Sequence, residues 1–596
     1  MSASAWHSPD VKPHSSNLLS FSLADDRPVA RPLLWGIFGL ICILYALLWS
    51  PWWYPLSDSS LYLIMARGLM QGRGFGFLRT IHRDVRPLTP LLLFAIMKCR
   101  GGIGAMNAAM TILTLLSHVL AFLTLRKWFN ERIALLAVIA TAASWWVFEN
   151  CVTIMTEPLC LVLFWAAMLT LCGIKAAAPA RQWALVIIAA LFMITAFEDR
   201  IASAALLPGI FFGIWMDNRQ VHWRRRLAWL IAFGLLFLAA LWEWKRWFIN
   251  SSVGNVIGES GGFLNSGEMG EAAAPEAYKG NLLVGIHNPL IQLPVTAGRW
   301  ILEGFAAVWR WPFREHSPIA ITLVAGVFAF AIFLIACGGW FYLIRRKRWY
   351  AVGMAAYFFP YWIAWGNRII PRYMTPILPL IFIQLWAGSM LLIALLRRNR
   401  SVDAGCVKQR SVVIASLLLS AVMLLNVGPY AIDWYIRRGT RMNFYDLARR
   451  GAFAELVDIG AYVNQHTEPQ AKIWMNWSPN RRIVHFLCNR DAQTLVPLKK
   501  HQTADIDVDS PEDLVDREAY FKRIEALDKQ AQWAIVYYKQ YGWPVYHLPL
   551  NTEPRTEQSS PRYWQLFHRE GGRFRAVAVP VDRNEVRTIP GVDGGR

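Results

Sequence analysis

Apolar residues along this chain come in runs separated by short polar connections rich in arginine and lysine. The runs are Leu33 to Ser50, Ile103 to Leu125, Ile133 to Phe148, Pro158 to Gly173, Trp183 to Phe197, Ile201 to Met216, Leu227 to Trp242, Ile319 to Leu343, Tyr350 to Trp365, Met374 to Leu396 and Ser411 to Val427. Against a bilayer that takes about 20 apolar residues to cross, they predict about eleven transmembrane helices, the shorter runs being the less regular ones. The stretch between the first two runs is different. Asp58 heads a segment whose apolar positions Leu61, Ile64, Met65, Gly68 and Leu69 repeat at helical spacing and stop at Gly72 and Gly74. That spacing predicts a one-sided helix lying along the membrane plane. Arg86-Pro87 then leads into an apolar run ending at Met97, too short to span and suited to a re-entrant or interfacial segment. After Gly428 the pattern changes again. A helical stretch, Phe444 to Gln465, and strand-like runs Ala471 to Trp477, Ile483 to Leu487, Trp533 to Tyr538, Tyr563 to His568 and Phe574 to Val579 predict a small soluble α/β domain.

Composition agrees with the pattern. Of 596 residues 55% are hydrophobic and 17% charged, and the mean hydropathy is +0.30, too apolar for a soluble protein of this size. The net charge of +21 raises the question of nucleic acid, and the placement of the charge answers it. Basic residues gather in short loops: Arg126, Lys127 and Arg132; Lys175 and Arg181; Arg219 and Arg224 to Arg226; Arg345 to Arg348; Arg397, Arg398, Arg400, Lys408 and Arg410. Against them stand only Glu131, Asp217 and Asp403. This is the sidedness of membrane insertion and of contact with anionic lipid, so no nucleic-acid partner is expected. It predicts a cell-membrane protein with a cytoplasmic tail over 1–30, a transmembrane domain over 31–428 with outer loops 51–102 and 248–318, and an extracytoplasmic domain over 429–596. The Gly-, Ser- and Asn-rich start of the 248–318 loop suits a lid. The eight cysteines are scattered singly, with no metal or disulfide spacing, and the first run lacks a small-residue cleavage site, so it reads as an uncleaved span.

Candidate chemistry lies on the predicted outer side. Asp58 opens a helix, where Asp is also a favoured cap. Glu157 precedes Pro158 at the start of a span, again an ordinary place for an acid. Glu198-Asp199-Arg200 separates two short runs, so these charges sit near hydrocarbon, where ionisable groups are costly unless they pair or function. Arg368 and Arg372-Tyr373 run against the sidedness of the other cations; an anionic ligand or lipid phosphate would explain them. Acids beside guanidinium groups at one interface are what moving a group off a lipid phosphate requires: a base for the acceptor and cations for the departing charge.

The segments SDSSLYLIMARGLMQGRGF, RPLTPLLLFAIMK, TEPL, FEDR and PRYMTPILPL, in that order, resemble the GT-C membrane glycosyltransferases, in particular the branch of protein O-mannosyltransferases and of lipid A aminoarabinose and galacturonic acid transferases. The resemblance spans about residues 30 to 400. It implies a polyprenyl-phosphate-linked sugar as donor, a glycan, lipid or protein hydroxyl as acceptor, extracytoplasmic transfer and inversion at the anomeric carbon. It assigns Asp58 as base, Glu157 as the second catalytic acid, and Arg86, Arg200, Arg372 and Tyr373 to the donor phosphate. Ser59 stands where many members carry Glu, and Leu88 where they carry the second Pro. The first departure leads to the expectation of a metal-independent reaction without cofactors, in which Arg replaces a cation at the leaving monophosphate. Two other readings of the residues stand beside it: a flippase for a lipid-linked sugar, which would place charges within spans and break helices in related halves, and a non-catalytic envelope-assembly protein.

Overall fold

A computed structural model of the chain describes residues 28–49, 57–72, 74, 76–77, 80–81, 87–144, 147, 153–249, 294–295, 297–299, 301–302, 319–355, 371–396, 454–468, 470–475, 481–494, 517–537, 564–570, 573–577 and 579. The membrane half comprises α1 (Arg31–Leu48), α2 (Ser57–Met70), α3 (Leu88–Lys98), α4 (Ile103–Trp128), α5 (Glu131–Ala142), α6 (Glu157–Leu171), α7 (Pro179–Asp199), α8 (Leu207–Asp217), α9 (Trp223–Ile249), α10 (Ile319–Arg345), α11 (Trp349–Ala355) and α12 (Leu378–Leu396). Among the described residues six helices are long and apolar enough to cross a membrane: those of α1, α4, α6, α7, α10 and α12. Four further apolar runs also hold helices, and the run Ser411 to Val427 lies outside the described residues, as does most of the 248–318 loop.

The shorter helices have local reasons. α5 starts at an Asn130 cap whose side chain accepts from the Ile133 N–H at 2.9 Å, and the rest of the helix is buried within the bundle. The run from Ile201 divides into a 3₁₀ turn (Ile201–Leu206) and α8, because Pro208 has no N–H to donate and so fits only a first turn. α10 and α12 cross so closely that a Cβ on Gly339 or Gly388 would fall within 2 Å of a backbone oxygen of the other helix.

Long-range contacts sort the helix termini into two ends. Trp49, which follows α1, donates its indole N–H to Gly104 at the start of α4 (2.9 Å), so α1 and α4 meet where the loop bearing α2 and α3 emerges. The starts of α6 and α4 and the end of α7 share that end. At the other end, the Val29 N–H reaches Glu131 (2.9 Å) and Lys175 pairs with Asp217 (2.9 Å). The basic loops 126–132, 175–181 and 217–226 belong to this second end.

The C-terminal region contributes α13 (Ala454–His466), β3 (Lys472–Met475), α14 (Arg481–Cys488), β4 (Asp491–Thr494), α15 (Arg517–Leu527), β5 (Trp533–Tyr537), β6 (Trp564–Glu570) and β7 (Arg573–Ala576), following a hairpin of β1 (Gly76–Phe77) and β2 (Thr80–Ile81) near the start of the chain. Its sheet runs β4-β3-β5-β6-β7, with β4, β3 and β5 parallel and the last two strands antiparallel. Four predicted strands are strands, and the helix predicted from Phe444 is helical from Ala454, the residues before it lying outside those described. The predicted strand Ile483 to Leu487 is instead helix α14. A short apolar run has no distinguishing period, and this one supplies the crossover between the parallel strands β3 and β4, a connection that needs a helix to reach back over the sheet.

α2 also differs from a one-sided interfacial helix. Leu63, Ala66 and Arg67 are buried as well as Leu61, Ile64 and Met65. One apolar cluster joins Leu63, Ile64 and Ala66 of α2, Leu93 and Met97 of α3 and Met106 of α4 to Val463, Ile483, Val484 and Leu487 of the C-terminal region. α2 is therefore a layer between the bundle and the α/β region, ended by Gly72 at φ +70°, a conformation that favours glycine.

Candidate active site

The polar centre at the first end is assembled from three elements. Glu157 is the first residue of α6, followed by Pro158, and is 3% exposed. Its position lets the unpaired N–H groups of the first turn favour a carboxylate. Arg200 follows the last residue of α7 in extended conformation (φ −150°, ψ 115°), which turns its side chain across to α6. There it forms an ion pair with Glu157 Oε1, the Arg200 side chain being 14% exposed. Next to it, Asp199 is 2% exposed and accepts a hydrogen bond from Thr89 Oγ1 of α3 at 2.5 Å. Asp199 Oδ2 has no hydrogen-bond partner among the described residues. Two carboxylates, a guanidinium and a hydroxyl thus share a buried site in which α3, α6 and α7 converge, a setting where charge–charge interaction is far stronger than in water.

The sequence-predicted site residues fall at different distances from this centre. Glu157 and Arg200 are in direct contact. Asp58 lies half-buried in the first turn of α2, which packs along α3, the helix that carries Thr89 into the cluster. Arg372 and Tyr373 lie on a 3₁₀ turn (Pro371–Ile377) whose backbone packs against α6. Arg86 lies outside the described residues, immediately before Pro87 and α3. Sequence reasoning left Asp199 and Thr89 out of the site. Asp199 had a signal, an acid between two apolar runs. Thr89 had none, since its partner stands 110 positions away.

Fold and site define a polytopic membrane protein that gathers its acids and a guanidinium at one end of a helical bundle. Residues 84–244, the segment holding Arg86, Thr89, Glu157, Asp199 and Arg200, match the family model described as dolichyl-phosphate-mannose-protein mannosyltransferase. That match covers just over a quarter of the chain. Similar solved structures include ArnT from Cupriavidus metallidurans in the apo state (TM-score 0.48, 14% identity, 85% of this chain and 92% of that one). The same protein bound to undecaprenyl phosphate matches with TM-score 0.48 and 14% identity over 85% and 94% of the two chains. The Archaeoglobus fulgidus oligosaccharyltransferase in complex with zinc and sulfate gives 0.46 and 12% over 84% and 68%. No curated protein matches by sequence.

Proposed function

We propose that this protein is a membrane glycosyltransferase of the GT-C superfamily that moves a sugar from a polyprenyl-phosphate-linked donor to an acceptor hydroxyl on the extracytoplasmic side, with inversion. The acceptor oxygen attacks the anomeric carbon from the face opposite the lipid phosphate, and its proton passes to the Asp58 carboxylate. The bond from that carbon to the phosphate oxygen breaks, and the electron pair leaves with polyprenyl phosphate. Arg86, Arg200 and Arg372, with the hydroxyl of Tyr373, meet the charge that develops on the phosphate. Glu157 enters the reaction through its pair with Arg200: it holds the guanidinium at the head of α6. Two features support the reading. The family matched over 84–244 carries a polyprenyl-type phosphate sugar in its name. The single observation that weighs most is the buried Glu157–Arg200 pair beside Asp199, at the bundle end from which the Asp58 helix emerges. The basic loops at the opposite end support the extracytoplasmic assignment.

The test uses purified protein with a labelled polyprenyl phosphate sugar and measures free polyprenyl phosphate. Wild type should release it in the presence of acceptor. Asp58→Asn should bind donor and lower turnover by roughly 10²- to 10⁴-fold, the usual scale of a lost general base. Full turnover by that variant removes Asp58 from the mechanism, and no release by wild type with any acceptor class removes the transfer reading in favour of a flippase or a binding protein.

A further inference from the structure

Arg67 stands nine residues after Asp58 on α2, about 13 Å along the helix axis at the usual rise, and it is 2% exposed. Its Nη1 donates to the Phe486 carbonyl oxygen at 3.2 Å and to Asn489 Oδ1 at 3.3 Å. The guanidinium also sits over the Phe486 ring, 4.4 Å from its centroid. Nε and Nη2 have no hydrogen-bond partner, and no carboxylate pairs with the group among the described residues. Burial lowers its pKa to about 10, so the side chain keeps its charge at neutral pH.

A buried cation held by neutral acceptors is a costly way to join two elements that already share an apolar interface. A methionine of similar length would fill the same space without stranding two N–H groups. What hydrogen bonds add to apolar packing is direction: they fix rotation and axial register, which a greasy contact lets slide. The acceptor side is built to hold that register. Asn489 lies just past the end of α14 with φ +47°, a backbone conformation in which Asn is among the better tolerated residues. Its carbonyl accepts from Arg490 Nη1 at 3.0 Å. Arg490 in turn donates to Thr467 Oγ1 (2.8 Å) and the Thr467 carbonyl (2.7 Å), and Asn464 of α13 donates to the Leu487 carbonyl (2.8 Å). The end of α14 is thus clamped to α13 before Arg67 reaches it.

We propose that Arg67 is a positioning residue: its bonds to Phe486 and Asn489 of the C-terminal region set the register of α2 and thereby the place of Asp58 at the reaction centre. The proposal rests on Asp58 acting as the base. It makes the α/β region part of the active-site scaffold.

The test measures released polyprenyl phosphate as a function of donor concentration for wild type, Arg67→Met, Asn489→Ala, Asp58→Asn and Arg67→Met combined with Asp58→Asn, each normalised to folded, monodisperse protein. Arg67→Met should lower kcat by roughly tenfold to a hundredfold, the scale of a displaced catalytic group, with donor KM within about twofold of wild type. Asn489→Ala, which deletes one hydrogen bond and no charge, should move kcat in the same direction by a smaller factor and keeps the test open if Arg67→Met does not fold. In the Asp58→Asn background Arg67→Met should cause no further loss, because residues that act through one group are not additive. An unchanged kcat per folded molecule in both single variants, or an Arg67→Met effect that multiplies with that of Asp58→Asn, overturns the proposal. Full activity of Asp58→Asn, or an inactive wild type, strikes the functional reading first and is told apart from those outcomes.

Discussion

Removing the guanidinium from the Glu157–Arg200 pair leaves a carboxylate that is 3% exposed at the head of a membrane helix. Water cannot replace the lost partner there. Breaking a buried pair from one side costs about 3–5 kcal/mol, because the remaining charge stays desolvated. For Arg200→Met the lower bound corresponds to about a hundredfold in the unfolding equilibrium at 1.4 kcal/mol per decade. The opposite single change, Glu157→Leu, is milder. The Arg200 side chain retains 14% exposure and can extend toward the membrane surface, so about 1–2 kcal/mol is expected. The double variant Glu157→Leu/Arg200→Met replaces both charges by apolar groups of similar volume, and should return to within about 1 kcal/mol of wild type. Unfolding of the purified proteins in mixed micelles titrated with a denaturing detergent measures all four corners of the cycle. The expected coupling between the two sites is therefore about 3 kcal/mol or more. The double variant should also turn over more slowly while stable, since one of the three guanidinium groups that meet the phosphate is gone. A double variant no more stable than Arg200→Met alone would show that the two side chains do not depend on each other, and the reasoning from burial would fail.

Further expectations follow from single contacts. Thr89→Val removes the donor to Asp199 Oδ1 while keeping the shape of the side chain; it should destabilise by about 1.5–3 kcal/mol in the same titration, with Thr89→Ser restoring most of the loss. Gly72 has φ +70° and open space around its Cα, so Gly72→Ala adds no clash and should cost about 1–2 kcal/mol through backbone strain alone, with Gly72→Asn milder. Together with Asp58→Asn and Arg67→Met, these variants divide into those that lose stability and those that lose turnover.

Much of this arrangement was legible in the chain. The apolar runs identify the helices because the bilayer imposes a length and forbids unpaired backbone within it. The basic loops identify one end of the bundle, and Asp58, Glu157 and Arg200 stood out as charges at the other. The strands β3, β5, β6 and β7 announced themselves by apolar runs between polar connections. α14 did not, since Ile483 to Leu487 fits either period over so short a length.

Helix length, the existence of the C-terminal α/β region and the residue types available for chemistry are local properties, written in spacing and composition, and they were readable without coordinates. Partner choice is not local. Glu157 meets Arg200, Thr89 meets Asp199, and Arg67 meets Phe486 and Asn489 more than four hundred positions away, because chain closure and side-chain packing bring those atoms together, and no periodicity encodes which distant residue will fill a given gap. The burial of α2 on both faces has the same origin: its one-sided stripe describes what the helix offers, while the α/β region that covers its other face is folded from a part of the chain that the stripe cannot see.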